Sequence, residues 1–466
     1  MTTICAISTS SGGALGVVRV SGPESLLSCD KIFKPQSGGP LSSSPSRRIR
    51  YGHIIDVESG GSVIDEVIVL TYRSPHSYTG EDSVEIMCHG SSYILQRVCD
   101  LLIKHGCVMA RPGEYTQRAF LNGKMDLSQA EAVADLISSS NAATHRLAMS
   151  QMRGDFSHEL RVLRDKLVQL TSLLELELDF SEEDVEFADR SELDTLSHDI
   201  EQTISRLVDS FEVGNALKNG IPVAIIGETN VGKSTLLNRL LHDNRAIVSD
   251  IHGTTRDTIE DTIIIEGTLF RFIDTAGIRE TRDEIESLGI DRTFKKIDES
   301  QVVLWLIDAT DLSRSFLNVR DRVLPHLENK TLIVVLNKCD KVDDQELYNM
   351  YNELYEHSGI NADETIQVSA LTGQNISALE SKLLDYTNSE SLNEGDVIVT
   401  NLRHVEVLRT ALSSIRSSRT ALLDGLSTDL VAEDLRQCVS SLGEIVGEVT
   451  TDEVLSSIFM NFCVGK

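Results

Sequence analysis

The eight cysteines of this 466-residue chain include no C-x-x-C pair, so the ligand spacing of a zinc ribbon and the motif of a thioredoxin-like redox site are both missing. Eight in so long a chain are too sparse for a disulfide framework, which fits a reducing compartment. No apolar run approaches the length of a membrane span; the longest, Val302–Ile307 and Leu332–Leu336, are strand-sized. The N-terminal MTTICAISTSSGG has neither a basic leader region nor an Arg-rich amphipathic stretch, so no signal or transit peptide is expected and the expected location is cytoplasmic. Positive charge is scarce too: 43 Lys and Arg face 72 Asp and Glu, a net −29 at pH 7. A protein gripping nucleic acid through its overall field would carry the opposite sign. What the chain does have is apolar material, 41% of residues, enough for folded cores. Its length allows roughly three domains of ordinary size.

Four segments differ in pattern. Residues 1–120 carry short β-like runs, Val17–Val20, Ile54–Val57, Glu66–Leu70 and Val84–Met87, split by Gly, Ser and Pro clusters such as Ser37–Ser46, with one helical run at Tyr93–Lys104. They predict an α+β domain. In residues 121–217, Leu160, Leu163, Leu167, Leu170 and Leu174 fall at alternating spacings of three and four, the seam of a long helix in a bundle. The acidic Glu182-Glu183-Asp184 marks a break after it. Residues 218–384 alternate helices with buried-strand runs at 223–227, 263–267, 269–275, 302–308 and 332–337, which predicts a mostly parallel sheet. Residues 385–466 return to helical periodicity. The expected fold is therefore multidomain: an N-terminal α+β domain, an all-α domain in two pieces, and an α/β domain inserted between those pieces. Acidity is uneven across them. The first segment holds 11 basic and 11 acidic side chains, the second 8 and 20, the third 18 and 28, the last 6 and 13.

The inserted segment carries the chemistry. Gly227 to Ser234 reads G-x-x-x-x-G-K-S, directly after a strand and before the helical run TLLNRLL. That is the context of a phosphate loop, where glycines let backbone N–H groups converge on phosphate at a helix N-terminus. A Gly-rich structural turn is the plain alternative, and the flanking strand and helix argue against it. Asn230, Val231, Gly232 and Thr235 would line the loop; Lys233 would reach the β and γ phosphates and Ser234 would bind Mg²⁺. Asp274-Thr275-Ala276-Gly277 closes a later strand, placing a carboxylate for the metal's water shell and the Gly277 N–H for the γ-phosphate. Asn337-Lys338-Cys339-Asp340 closes another; a carboxylate there accepts both N1–H and N2–H₂ of guanine, a donor pair adenine lacks. Ser369-Ala370-Leu371 is placed to bring a backbone N–H to guanine O6. Each tetrapeptide alone is weak, but four in order across one alternating domain imply a GTPase.

The hydrolytic equipment is incomplete. Related GTPases orient the attacking water with a Gln just after D-x-x-G; here that position is Ile278. No internal arginine finger is evident beyond the nearby Arg279 and Arg282. Polar candidates follow in Glu280, Asp283, Glu284 and Glu286, for which a solvated loop is the ordinary explanation and among which spacing does not choose.

These motifs, with the runs AIVSDIHGTTRD (246–257), GVVRVSG (16–22), RPGEYTQRAFLNGKMDL (111–127) and the terminal FCVGK (462–466), resemble the MnmE (TrmE) family of bacterial tRNA-modification GTPases, part of the TrmE-Era-EngA-EngB-septin-like group, over essentially the whole chain. The resemblance implies an N-terminal domain (1–120) that dimerises and binds 5-formyltetrahydrofolate or a related one-carbon folate. It implies a helical domain built from 121–217 and 385–466 and a Ras-like G domain at 218–384. With the flavoprotein MnmG as partner in a heterotetramer, such proteins install carboxymethylaminomethyl or aminomethyl groups at C5 of the wobble uridine of certain tRNAs. They are activated by potassium, which answers the missing arginine finger. Asn230 resembles the selective K⁺ ligand, and Ser249 (commonly Thr in this pattern), Ile251 and Thr254 fall where the potassium loop supplies oxygens; that loop, with Asp250, His252 and Gly253, also lies against the nucleotide. Thr255 would add a Mg²⁺ ligand. Glu286, twelve residues after Asp274, matches the water-orienting glutamate. Arg19, Glu85, Lys124 and Lys466 match positions around the folate, where Arg and Lys suit glutamyl carboxylates and Glu suits the N–H edge of a pterin; singly, each reads as a surface charge. Cys463 lies near that pocket in the family, as a thiol for catalysis or simply a small apolar side chain. Cys88-His89 and Cys107 read as strand and core residues.

Two function classes follow. One is a GTPase driving tRNA wobble-uridine modification; the other is a potassium-dependent GTPase switch in ribosome assembly, which would call for a basic KH-like appendage not found in the sequence. The neutral first segment lets an anionic folate dock on a few placed cations, and the acidity elsewhere predicts that tRNA is held mainly through the partner. No membrane association is expected.

Overall fold

A computed structural model of the chain describes residues 2–10, 12–179, 190–228, 230–243, 261–273, 297–311, 324–327, 330–343, 345–350, 352, 365–389, 397–424, 426, 428–460, 462 and 464–465. The chain divides into two units, one of residues 1–137, 148–203 and 407–466 and one of residues 138–147 and 204–406.

The first unit is built on a seven-stranded sheet. Its strands are β1 (Ile4–Ile7), β2 (Leu15–Ser21), β3 (Phe33–Pro35), β4 (Arg48–Asp56), β5 (Ser62–Tyr72), β6 (Ser83–His89) and β7 (Val108–Met109), in the order β3-β4-β5-β6-β2-β1-β7. All neighbours are antiparallel except β1 and β7. Alternation along the strands makes two different faces. Val18, Val20, Val67, Val69, Val84 and Ile86 are buried in one core with helices α1 (Ser25–Asp30) and α2 (Ser92–Lys104), to which α2 gives Leu95, Val98, Leu101 and Leu102. The odd-numbered partners on β2 and β6, Val17, Arg19, Glu85 and Met87, face the other way and are half-buried.

Helices α3 (Glu114–Leu121), α4 (Leu127–Ser138), α5 (Ala142–Arg153), α6 (Asp155–Asp179) and α7 (Arg190–Asn219) follow. All five leucines of the seam, Leu160, Leu163, Leu167, Leu170 and Leu174, are buried, and α6 packs along the later helix α11 (Thr428–Val446).

The second unit holds a six-stranded sheet of β8 (Ile221–Ile226), β9 (Asp261–Ile265), β10 (Thr268–Phe272), β11 (Val302–Asp308), β12 (Thr331–Asn337) and β13 (Thr365–Gln367), in the order β13-β12-β11-β8-β10-β9. Only the edge pair β9/β10 is antiparallel; the rest is parallel. Ile225, Leu304 and Val335 enter one core with α8 (Lys233–Asp243) and α9 (Ile376–Ser389), while Ala224, Val303, Trp305 and Val334 enter a second core on the opposite face. Burial on both faces is why these strands read as continuous apolar runs rather than alternating ones.

Two helices close the chain's list, α10 (Leu402–Leu423) before α11 and α12 (Asp452–Met460) after it. Phe459 and Phe462 pack with Leu127 and Leu455 in a small core that α12 shares with α4, and Phe120 of α3 packs against it. No described helix is long and apolar enough to cross a membrane.

Candidate functional site

In a parallel sheet with helices on both faces, ligands meet the loops at the carboxyl ends of the strands, and the motif residues of the second unit gather there. β8 ends at Ile226, and Gly227 turns the chain at φ +143°, where an added Cβ would come within 2.4 Å of the Leu306 carbonyl oxygen. Gly232 stands at φ +100°, and a Cβ there would lie 2.3 Å from Asn337 Nδ2. Both positions therefore need glycine, for conformation and for space. Asn230 adopts a left-handed φ of +66° and is exposed; Val231 is buried, and α8 begins at Lys233. Lys233 Nζ donates to the carbonyls of Gly227 at 2.7 Å and Glu228 at 2.6 Å, so its ammonium lies over its own loop. Ser234 is half-buried and Thr235 exposed in the first turn of α8.

The base end is assembled from β11, β12 and the turn after β13. Asn337, the last residue of β12 and 2% exposed, donates from Nδ2 to the Val231 carbonyl at 2.7 Å and accepts the Ala370 N–H on Oδ1 at 3.0 Å. One carboxamide thus ties the phosphate loop to the 369–371 turn. Lys338 follows at φ +68° and pairs with the Asp308 carboxylate, whose Oδ1 accepts Thr310 N at 3.0 Å and Thr310 Oγ1 at 2.7 Å. Burial would raise the Asp308 carboxyl, but the bonds from Lys338 and Thr310 outweigh it and hold the group below the ordinary carboxylate range. Asp340 is exposed on the short 3₁₀ turn Cys339–Lys341. Ser369 is fully buried and its hydroxyl accepts Thr372 N at 3.2 Å, while Leu371 is exposed. Two residues at this end escape motif reading: Asp308, visible only as the polar end of the apolar run VVLWLID, and Arg239 on α8, which donates to the carbonyls of Ala370 and Leu371.

The first unit's sheet brings together part of the other group. Arg19 and Glu85 are direct cross-strand partners on β2 and β6, joined by bonds of 3.1 Å from Nε and 2.9 Å from Nη2 to Glu85 Oε1. Tyr72 donates to the other Glu85 oxygen at 3.3 Å. The Arg19 guanidinium stands 5.6 Å from the Tyr78 ring and 5.7 Å from the Tyr115 ring, a cation–π bracket. Its Nη1 also meets the Gly465 carbonyl at 3.5 Å, and Ser8 Oγ donates to the same oxygen at 3.1 Å. The terminal segment therefore returns to Arg19, although it is more than four hundred residues away in sequence. Lys124 does not join the pair; its ammonium is exposed and donates to the Pro75 carbonyl at 3.0 Å. Cys88 and Cys107 are buried, and burial pushes the Cys88 thiol up to about 12. His89 is fixed by Asp65 at 2.7 Å through Nδ1 and 2.8 Å through its backbone N–H. Among the described residues no group of three or more His, Cys, Asp or Glu is arranged to hold a metal.

Ser249, Asp250, Ile251, His252, Gly253, Thr254, Thr255, Asp274, Thr275, Ala276, Gly277, Glu286, Cys463 and Lys466 lie outside the described residues, as do Ile278, Arg279, Glu280, Arg282, Asp283, Glu284 and the acidic 182–184 stretch.

A phosphate loop after the inner strand β8 of a parallel sheet, tied by the asparagine that ends β12 to the turn after β13, defines a P-loop GTPase fold. The family model described as "MnmE helical domain" matches residues 127–463, and that described as "GTP-binding protein TrmE N-terminus" matches residues 3–124. The curated relative "tRNA modification GTPase MnmE" of Bacteroides thetaiotaomicron is 57% identical over 465 residues, covering 100% of this chain and 99% of the relative. The protein of the same name from Flavobacterium psychrophilum is 50% identical over 468 residues, covering 100% and 99%. The chain belongs to the MnmE (TrmE) family.

Proposed function

We propose that this chain is a GTPase whose hydrolysis cycle serves modification of the wobble uridine of certain tRNAs, together with the flavoprotein MnmG. The observation that carries the reading is the Asn337 carboxamide, which joins the phosphate loop to the 369–371 turn in a member of this family. The loop's two glycines leave a cradle that any Cβ would fill, and Ser234 offers the hard hydroxyl oxygen that Mg²⁺ takes. When bound there, Mg²⁺ would offset the negative charge of the phosphates. Lys233 gives up the Gly227 and Glu228 carbonyls for the β and γ phosphates, and the start of α8 is the kind of helix N-terminus that favours an anion. The Asp340 carboxylate accepts from guanine N1–H and N2–H₂, which excludes adenine.

The remaining parts of the reading rest on the family. Thr255 and Asp274 complete the metal's surroundings, the Gly277 N–H meets the γ-phosphate, and Glu286 orients the attacking water. Asn230 supplies a carboxamide oxygen, the donor type a potassium ion takes, beside Ser249, Ile251 and Thr254. A potassium ion held by these residues would supply the positive charge that an arginine finger gives elsewhere. In the N-terminal domain (1–120), the half-buried Arg19–Glu85 pair beside apolar Val17 and Met87 suits a flat, polar-edged folate, with Lys124 and Lys466 as further cations and Cys463 close by. The bipartite helical domain (121–217 and 385–466) carries the G domain (218–384), and the assembly is a cytoplasmic homodimer that joins MnmG. Mass spectrometry of tRNA nucleosides from a deletion strain tests the reading. Loss of the modified wobble uridine, restored by the wild-type gene, is expected. Wobble-uridine modification unchanged from wild type in the deletion strain, with a ribosomal-subunit defect in gradients, would overturn it.

A further inference from the structure

Arg239 is not part of any nucleotide motif, yet it holds the turn that faces the base. It sits on α8, six residues after Lys233, so the helix that begins at the phosphate loop also reaches the base end. Its Nη2 donates to the Leu371 carbonyl at 2.7 Å and its Nε to the Ala370 carbonyl at 3.4 Å. The guanidinium lies against the turn where Gly373, at φ +88°, carries no side chain; a Cβ there would stand 3.7 Å from Arg239 Cζ.

The other N–H groups of this turn are committed. Ser369 N donates to the Gln374 carbonyl, Ala370 N to Asn337 Oδ1, Thr372 N to Ser369 Oγ and Gly373 N to the Ser369 carbonyl. Among the described residues the Leu371 N–H has no partner. It belongs to the same rigid peptide unit as the Ala370 carbonyl, and in a trans peptide the C=O and N–H point in opposite directions. Holding the Ala370 carbonyl on Arg239 therefore turns the Leu371 N–H away from α8.

We propose that Arg239 is a positioning residue for guanine selectivity: it fixes the 370–371 peptide so that the Leu371 N–H meets the purine O6. The inference rests on the nucleotide reading above and adds the residue that sets the donor's direction. Asp340 selects the N1–H and N2–H₂ edge; Arg239, through Leu371, selects the O6 edge.

The two edges separate experimentally. Binding of GDP, of ADP and of 6-thioguanosine diphosphate, which keeps N1–H and N2–H₂ and carries a weakly accepting sulfur in place of O6, is measured by calorimetry on the full-length wild type, Arg239→Ala and Arg239→Lys. Wild type should prefer GDP to the O6-less analogue. Arg239→Ala should weaken GDP about tenfold, the scale of one directed hydrogen bond, and leave the analogue within about twofold, so that the preference collapses. Arg239→Lys, which keeps one donor without the fork, should fall between. Equal weakening of both ligands in Arg239→Ala, or no change in either, would overturn the proposal. Failure of the wild type to prefer GDP over ADP would instead remove the nucleotide reading on which it stands.

Discussion

Gly232 shows how little freedom single residues of the phosphate loop have. Its φ of +100° is a region that side chains with a Cβ enter at a cost of about 1–2 kcal/mol, and the Cβ would overlap the Nδ2 of Asn337 at 2.3 Å. Asn337 cannot yield without releasing both Val231 and Ala370. Gly232→Ala should therefore lower GDP affinity by about tenfold or more while far-UV circular dichroism stays unchanged; a titration with wild-type affinity would contradict the geometry. Asn230 is the opposite case, exposed and free of packing duties, at a left-handed φ of +66° that asparagine accepts. If its carboxamide serves potassium, GTP hydrolysis should be much faster in KCl than in NaCl, and Asn230→Ala should erase that difference while GDP binding persists. Equal rates in the two salts for the wild type would dispose of the potassium role. The motif residues Gly227, Gly232, Lys233 and Asn337 were readable because the spacing that marks each is local to the end of one strand. Asp308 and Arg239 were not, because their importance lies in what they touch, Lys338 in one case and two carbonyls in the other, and no local spacing announces a contact made across strands.

Elements divide the same way. The leucine seam of α6 was legible from spacing alone, since a helix that packs along one stripe must repeat there, and all five leucines are buried. The parallel strands β8, β11 and β12 were legible as apolar runs. β7, two residues long, and β13, three residues long, were not; they exist because a neighbouring strand offers an edge, which is a tertiary fact. α3 depends on such a fact as well. Its Glu114 is 8% exposed, accepts the Arg111 N–H at 2.9 Å and pairs with Arg118 at 2.9 Å, and Arg118 also grips Glu81 at 3.1 Å, tying the helix to the loop before β6. Burial alone would raise the Glu114 carboxyl, but the Arg111 and Arg118 bonds more than offset it, so its pKa lies below the ordinary value. A carboxylate depressed on folding contributes stability above its unfolded pKa, about 4.3, and loses that contribution as pH falls through the folded value. Glu114→Gln should therefore destabilise the first unit most at neutral pH, and the gap to wild type should narrow below about pH 4. Urea titrations at the two pH values measure it, and a gap that widens in acid would reverse the assignment.

At the scale of the whole molecule, the net −29 charge looks hostile to RNA, yet the segment around Arg19 is neutral and the acidity lies in residues 121–466. On the proposed reading, such a chain leaves tRNA affinity to its partner and keeps local cations for a small anion. The terminal residues connect to that local site. Gly465 stands at φ +94°, with a Cβ that would come 2.4 Å from the Ile7 carbonyl, and its own carbonyl receives Ser8 and Arg19. All of these contacts fall within the first unit, whereas the phosphate loop and the 337–340 and 369–371 turns fall within the second. Gly465→Ala must push the tail off β1, and removal of residues 462–466 removes it outright. If the tail completes a folate site at Arg19, both variants should weaken 5-formyltetrahydrofolate binding about tenfold or more and leave GTP hydrolysis in KCl within about twofold of wild type, because the atoms that hold the nucleotide keep every bond they had. Folate affinity unchanged in both variants would detach the tail from that site. Hydrolysis falling in step with folate affinity would instead mean that the two sites share more than a chain.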